Sequence, residues 1–171
     1  GKCCNYPHIE ASPLEFLPWA FHLFLVGEAE TTLDTLNGNP NPNCFLFKPL
    51  SALDQGHCGS YTYRALICRL FGFGATRDKY GSLRLATCKI IREGQAEQYK
   101  TVSEAIAKGL YVPVFTEYYM QLNQIDYQLG SKMVPVNKAL KMALEEEEKE
   151  ESEWVKDQKK DCKNKEQVTG G

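Results

Sequence analysis

Residues 54–72, DQGHCGSYTYRALICRLFG, constrain the fold most, because a turn, a reactive side chain and an amphipathic helix are predicted there in succession. Asp54 and the glycines at 56 and 59 are typical of a loop. Apolar residues then recur at the spacing of one helical face, at Tyr63, Leu66, Ile67 and Leu70. The pattern predicts a helix over about 60–71. Cys58 is therefore expected just before a helix N-terminus, where free backbone N–H groups and the helix dipole favour a thiolate.

Two interpretations of Cys58 stand side by side. A thiolate at a helix start is suited to nucleophilic catalysis. Most cysteines, however, are small apolar residues that fill space, and this chain has seven of them. Position alone leaves both interpretations open.

Length and composition predict one globular domain. A chain of 171 residues with 43% hydrophobic residues is long enough for one core and short for two. We expect an irregular lead-in over 1–13, a globular domain over 14–144, and a charged helical extension ending in a disordered tail over 145–171. Trp154 and Val155 interrupt the charges of that tail, where they are placed to dock it onto the domain or a partner.

The cysteines and histidines do not form a metal-binding motif. Cysteines stand at 3, 4, 44, 58, 68, 88 and 162 without a CxxC pair, and the three histidines stand at 8, 22 and 57. We therefore expect no metal and no cofactor, and reduced thiols in a cytoplasmic protein. No apolar run reaches the length of a membrane span, and no signal peptide is evident. A net charge of −2 gives no support to nucleic-acid binding.

Hydrophobic periodicity predicts an α+β fold in which short strands of the N-terminal third pack against a mainly helical remainder. The β-branched and aromatic run 16–26 and the segment 44–48 are expected to be strands, separated by a short helix and a loop rich in Asn, Pro and Gly. Further helices are expected after Ser82, over 95–108, from about 114 and from Pro135.

The 54–72 segment resembles the nucleophile segment of the ovarian tumour (OTU) superfamily of cysteine proteases, which includes papain-like proteases of arteriviruses. The resemblance rests on Gly56, Cys58, Gly59, the Ala65-Leu66 pair and Arg69, and extends with short helical matches over about 53–144. It implies an OTU-like fold with Cys58 as nucleophile and Asp54 beside it. Gly56, His57 and Gly59 would form the turn that holds the oxyanion.

The sequence departs from the family pattern at the catalytic base. OTU enzymes take this histidine from a strand near the C-terminal end, whereas no histidine follows residue 57 here. His22 could serve if the order were permuted, as in the lecithin retinol acyltransferase group. A second register aligns GSYTYRAL with the motif and places Tyr61 at the nucleophile position, which would make the protein inactive.

Two functional hypotheses follow from the resemblance. In the first, the chain is a degenerate OTU-like domain that acts as a protein-interaction module, with a ubiquitin-like protein or a host factor as partner. In the second, it is an active cysteine protease or deubiquitinase with Cys58 as nucleophile. The final Gly170-Gly171 resembles the ends that papain-like proteases leave, as in a viral polyprotein product, and a cloning boundary is the alternative.

Overall fold

A computed structural model describes residue 4, residue 6, residues 8–50, residues 55–150 and residue 152. The helices are α1 Leu17–Leu25, α2 Ala29–Gly38, α3 Leu66–Leu70, α4 Lys89–Gly94, α5 Ala96–Ala107, α6 Phe115–Ile125, α7 Tyr127–Gly130 and α8, residues 136–150. The strands are β1 Glu10–Ala11, β2 Phe47–Leu50, β3 Gln55–Cys58, β4 Ala75–Arg77, β5 Leu83–Leu85 and β6 Val134–Pro135. Two 3₁₀ turns cover Pro13–Phe16 and Tyr61–Tyr63. The broad α+β prediction is confirmed.

The described core lies mainly where α1 and α8 pack together. Trp19, Ala20 and Leu23 of α1 are buried, and the same cluster contains the buried face of α8, formed by Val136, Ala139, Leu140, Ala143 and Leu144. Large apolar side chains beside small alanines allow the two helices to approach closely and interlock. The predicted apolar face of the last helix is thereby confirmed.

The prediction of a strand over 16–26 is wrong, because most of this run is helix α1. Its side chains do not alternate between buried and exposed, as a strand with one buried face requires: Trp19 and Ala20 are both buried, and Leu25 is 70% exposed. Pro18 is within the first turn of the helix, where its missing N–H is tolerated. Aromatic content misled the prediction, since the helical packing against α8 outweighs local β-propensity.

The strands form three separate antiparallel pairs among the described residues, β1 with β6, β2 with β3, and β4 with β5. They are spread along the chain and not gathered in the N-terminal third. Glu10 of β1 pairs with Pro135 of β6, directly before α8. The segment 1–13, expected to be irregular, therefore contains a short strand. Strand β2 begins three residues later than predicted, at Phe47.

The helix predicted over 60–71 is interrupted. A 3₁₀ turn covers Tyr61–Tyr63, and α3 begins only at Leu66. The helix predicted from Ser82 to Gly94 is wrong in its first half, where Leu83–Leu85 is strand β5, and agrees with the structure in its second half, where α4 covers Lys89–Gly94. Asp78 accepts backbone hydrogen bonds from Tyr80 and Ser82 in the hairpin turn. These bonds and the Arg84 guanidinium hold the pKa of the Asp78 carboxyl below its usual value.

The other helix predictions agree with the structure at α2, α5, α6 and α8. Helix α8 includes residues 145–150 of the predicted charged extension, whereas Trp154, Val155 and the predicted tail lie outside the described residues. No helix in the described ranges has both the length and the apolar character needed to cross a membrane.

Candidate functional site

A cavity of about 610 Å³ opens beside the β2–β3 hairpin and the first turns of α3 and α4. Its walls are mainly apolar, with Phe16, Leu46 and Ile67 among them. All five described cysteines line it, and we call it the cysteine-lined cavity: Cys4, Cys44, Cys58, Cys68 and Cys88. Such a volume is within the usual range of small-molecule sites in proteins.

The β2–β3 hairpin positions Cys58 in the wall of this cavity. Cys58 is the last residue of β3, opposite Phe47 of β2. The expected place before a helix N-terminus is therefore wrong, since α3 begins eight residues later, at Leu66. The helix-dipole argument made from the sequence therefore does not apply to Cys58.

The expected oxyanion turn is also wrong in its geometry. Gly56 and His57 are within β3, paired with Pro49 and Lys48. The N–H of Gly59 donates to the carbonyl oxygen of Leu46 at 2.7 Å, so it is already used within the hairpin. Asp54 lies outside the described residues.

Packing explains why position 56 is a glycine. A Cβ atom there would overlap the ring of Phe47 and the carbonyl oxygen of Lys48. The glycine that the resemblance assigned to an oxyanion turn thus allows the close approach of the two strands.

His22 lies on α1, and its contacts do not support the predicted role of a base for Cys58. Its ring stacks on that of Tyr63, with the ring centroids 4.9 Å apart. Among the described residues, the Cys58 thiol makes no hydrogen bond to His22 or to its sequence neighbour His57. His22 therefore makes a packing contact, which agrees with the interpretation of this histidine as a structural residue.

The sequence interpretation overlooked His8, which lines the same cavity as Cys58. His8 stands 50 positions earlier in the chain, and β1 brings this segment to the site by pairing with β6. No local motif could have joined the two residues, because their proximity depends on a strand pair of long sequence separation.

Arg64 is the second residue that the sequence interpretation did not single out. It lines the cysteine-lined cavity and also a groove of about 630 Å³ between α1 and α6. Its guanidinium carbon lies 3.8 Å from the ring centroid of Tyr61. Its Nε atom is shielded from solvent, and no described group accepts a hydrogen bond from it.

The α1–α6 groove contains a buried carboxylate, Glu15. This carboxylate accepts hydrogen bonds from the backbone N–H and hydroxyl of Ser12, the backbone N–H of Ile67 and the hydroxyl of Tyr119. Burial, and then the charge of Glu15, raise the pKa of the Tyr119 hydroxyl well above its usual value. Glu15 therefore has a structural role: its carboxylate oxygens already accept hydrogen bonds from three separate parts of the chain.

The described residues contain no group of three or more His, Cys, Asp and Glu side chains placed to hold a metal ion. Comparisons of the chain with protein-family models, curated proteins and solved structures found no match. The OTU-like relationship, the ubiquitin-like or host partner and the viral origin accordingly stay predictions.

Proposed function

We propose that this protein acts by binding a small, mainly apolar ligand in the cysteine-lined cavity, and not by catalysis. The observation that carries the proposal is the cavity itself, about 610 Å³ of space with Phe16, Leu46, Ile67 and five cysteines among its walls. Cysteine side chains are small and largely apolar, so they add to an apolar wall. A ligand that fills this space gains the free energy of removing apolar surface from water.

The arrangement around Cys58 supports binding over catalysis. A cysteine hydrolase needs a base within hydrogen-bond reach of the thiol and free N–H groups for the oxyanion. The Cys58 thiol has no histidine partner among the described residues, and the neighbouring Gly59 N–H is bonded to Leu46. The prediction of a degenerate, non-catalytic domain is therefore retained as part of this proposal, as is its cytoplasmic location.

Binding of straight-chain alcohols tests the proposal. We expect 1-octanol, 1-decanol and 1-dodecanol to bind with affinities that rise about fourfold per added CH₂, since each buried CH₂ contributes about 0.8 kcal/mol. Isothermal titration calorimetry measures this series. Bound alcohol should also slow the alkylation of Cys58 and Cys88 by iodoacetamide, read by mass spectrometry of the tryptic peptides.

A cavity-filling variant provides the matched control. Cys88→Trp places an indole on the cavity wall and should weaken binding of 1-dodecanol by at least about tenfold. Met120→Trp adds the same ring at an exposed position of α6 outside the cavity lining and should leave binding unchanged. Equal affinities in both variants, or no protection of the two cysteines by any alcohol, would contradict the proposal.

An active cysteine hydrolase with an OTU-like fold is the second candidate, favoured by one observation: His8 and Cys58 line the same cavity. In this alternative His8, not His22, would deprotonate the thiol. A ubiquitin-based electrophilic probe distinguishes the two candidates. Catalysis predicts labelling that is lost in Cys58→Ala, reduced in His8→Ala, and kept in Cys88→Ala and His22→Ala. The folded wild-type protein would remain unlabelled if it acts by binding alone.

A further inference from the structure

We infer that the ligand of the cysteine-lined cavity is a single-chain amphiphile with an anionic head, a fatty acid, whose carboxylate binds the guanidinium of Arg64. This inference rests on the proposed function and adds the chemical class of the ligand. Three features of the described residues support it: a guanidinium that finds no acceptor among them, carboxylates that are engaged elsewhere or not ion-paired with it, and a mainly apolar wall beside it.

Among the described residues, Arg64 has no partner of the kind that a partly buried guanidinium normally has. A guanidinium carries five N–H donors, and removing it from water is costly unless carboxylates or carbonyls accept from them. None of the ion pairs between described residues includes Arg64. Its Nε is shielded from solvent without an acceptor, so that water does not compensate for the missing bond.

The described carboxylates that line the α1–α6 groove and the cysteine-lined cavity do not form ion pairs with Arg64. Glu15 lines the groove on the other side of Arg64, but its oxygens accept from Ser12, Ile67 and Tyr119. Glu147 lines the same groove and Glu10 lines the cavity, and neither forms an ion pair with Arg64. The positive charge is therefore available to an anion that enters from outside.

The stacking contact with Tyr61 covers a flat face of the guanidinium and uses none of its in-plane N–H donors. The guanidinium carbon lies 3.8 Å from the centroid of the Tyr61 ring, and Tyr61 as a residue is 64% exposed. A guanidinium binds a carboxylate in its own plane, through two parallel N–H···O bonds, and an aromatic ring on its face is compatible with this geometry.

The wall beside Arg64 suits the hydrocarbon chain of the same molecule. Leu46, Ile67 and Phe71 line the cavity that Arg64 also lines, together with the sulfur atoms of the cysteines. Arg64 is the single Arg or Lys side chain in the described lining, which is mainly apolar and also includes Glu10, His8 and His57. Such a lining fits a ligand with one anionic group at the end of an apolar body.

Binding of dodecanoate and 1-dodecanol to the full chain at pH 7.5, below their micelle or solubility limits, tests the inference. Dodecanoate should bind wild-type protein about tenfold tighter than the alcohol, the gain expected from charge-assisted hydrogen bonds to a guanidinium. Dodecyltrimethylammonium, with the same chain and a positive head, should bind more weakly than the alcohol.

Charge variants assign the effect to Arg64. Arg64→Gln should abolish the preference for dodecanoate over 1-dodecanol, so that the ratio of the two affinities falls from about tenfold to about one. Arg64→Lys, which keeps the charge without the planar fork, should keep part of the preference. Arg92→Gln removes the same charge from an exposed position outside the cavity lining and should keep all of it.

The outcomes separate this inference from the proposed function. Equal affinities of dodecanoate and 1-dodecanol for wild-type protein would overturn the assignment of an anionic ligand while leaving an apolar binding site. A preference that survives Arg64→Gln would overturn the role of Arg64. Failure of every amphiphile to bind would overturn the proposed function as well.

Discussion

The carboxylate of Glu15 accepts a hydrogen bond from the backbone N–H of Ile67 at 2.9 Å, across 52 positions of sequence. Ile67 is in the first turn of α3, whose N–H groups have no partners within the helix. The carboxylate thus acts as a cap supplied by a distant part of the chain. It joins the segment before α1 to the helix beside the cysteine-lined cavity.

Glu15→Gln should destabilise the protein by about 2–3 kcal/mol. The amide keeps one acceptor oxygen but presents an N–H₂ group where the carboxylate accepts from Ile67 or Ser12. Urea denaturation followed by circular dichroism measures the change in the free energy of unfolding. Glu104→Gln, at an exposed position of α5, is the control and should change it by less than about 0.5 kcal/mol. Equal effects of the two variants would show that the buried network contributes little.

Tyr119→Phe should cost about 1 kcal/mol at pH 7, because it removes the hydrogen bond from the phenol to Glu15. The pKa of Tyr119 is raised in the folded state, so the folded protein holds this proton more tightly than the unfolded chain. The contribution is therefore complete below the unfolded pKa of about 10 and is lost as pH rises above it. The difference in unfolding free energy between wild type and variant should shrink between about pH 10 and 11.

Absorbance at 295 nm gives a second measurement of Tyr119. The tyrosinate signal of the folded wild-type protein should lack one ionisation that appears only on unfolding, and Tyr119→Phe should remove that step. Tyr80→Phe is the control, because Tyr80 is 79% exposed and its removal should leave that step unchanged. Complete ionisation of all tyrosines in the folded protein would contradict the burial of Tyr119.

Gly56→Ala should destabilise the protein by about 1–3 kcal/mol through overpacking. The added methyl group would meet the Phe47 ring and, more seriously, the backbone carbonyl of Lys48, which cannot move without opening the hairpin. Gly38→Ala is the matched control, because nothing lies within 4 Å of its added Cβ. That variant should be neutral or stabilising, since alanine lowers the entropy of the unfolded chain. Thermal denaturation of the pair distinguishes these effects.

Asn137→Ala should cost about 2 kcal/mol and loosen the segment before β2. The side-chain oxygen of Asn137 accepts from the N–H of Phe45 at 2.8 Å, and its nitrogen donates to the carbonyl oxygens of Asn41 and Asn43. Amide hydrogen exchange should show faster exchange at Phe45 in the variant. Asn37→Ala, an exposed position of α2, should leave that exchange rate unchanged. Unchanged exchange in both variants would contradict the role of Asn137.

Local patterns in the sequence determined part of this fold. The apolar spacing of α5, α6 and α8 and the Asn-Pro-rich loop after α2 are properties of short segments, so they could be predicted without knowing their neighbours. The sequence also identified Cys58 and Arg69 as matches to a protease motif, but it could not show which residues surround them.

Tertiary structure decided the rest. The 16–26 run became helix because α8 supplies a complementary helical face, and Cys58 ended a strand because Phe47 pairs with it. His8, Cys58 and Arg64 line one cavity only after β1 has paired with β6 and β2 with β3. Backbone periodicity is encoded over a few residues. A cavity, and the set of described groups that surround the Arg64 guanidinium, are defined by residues that are distant in sequence.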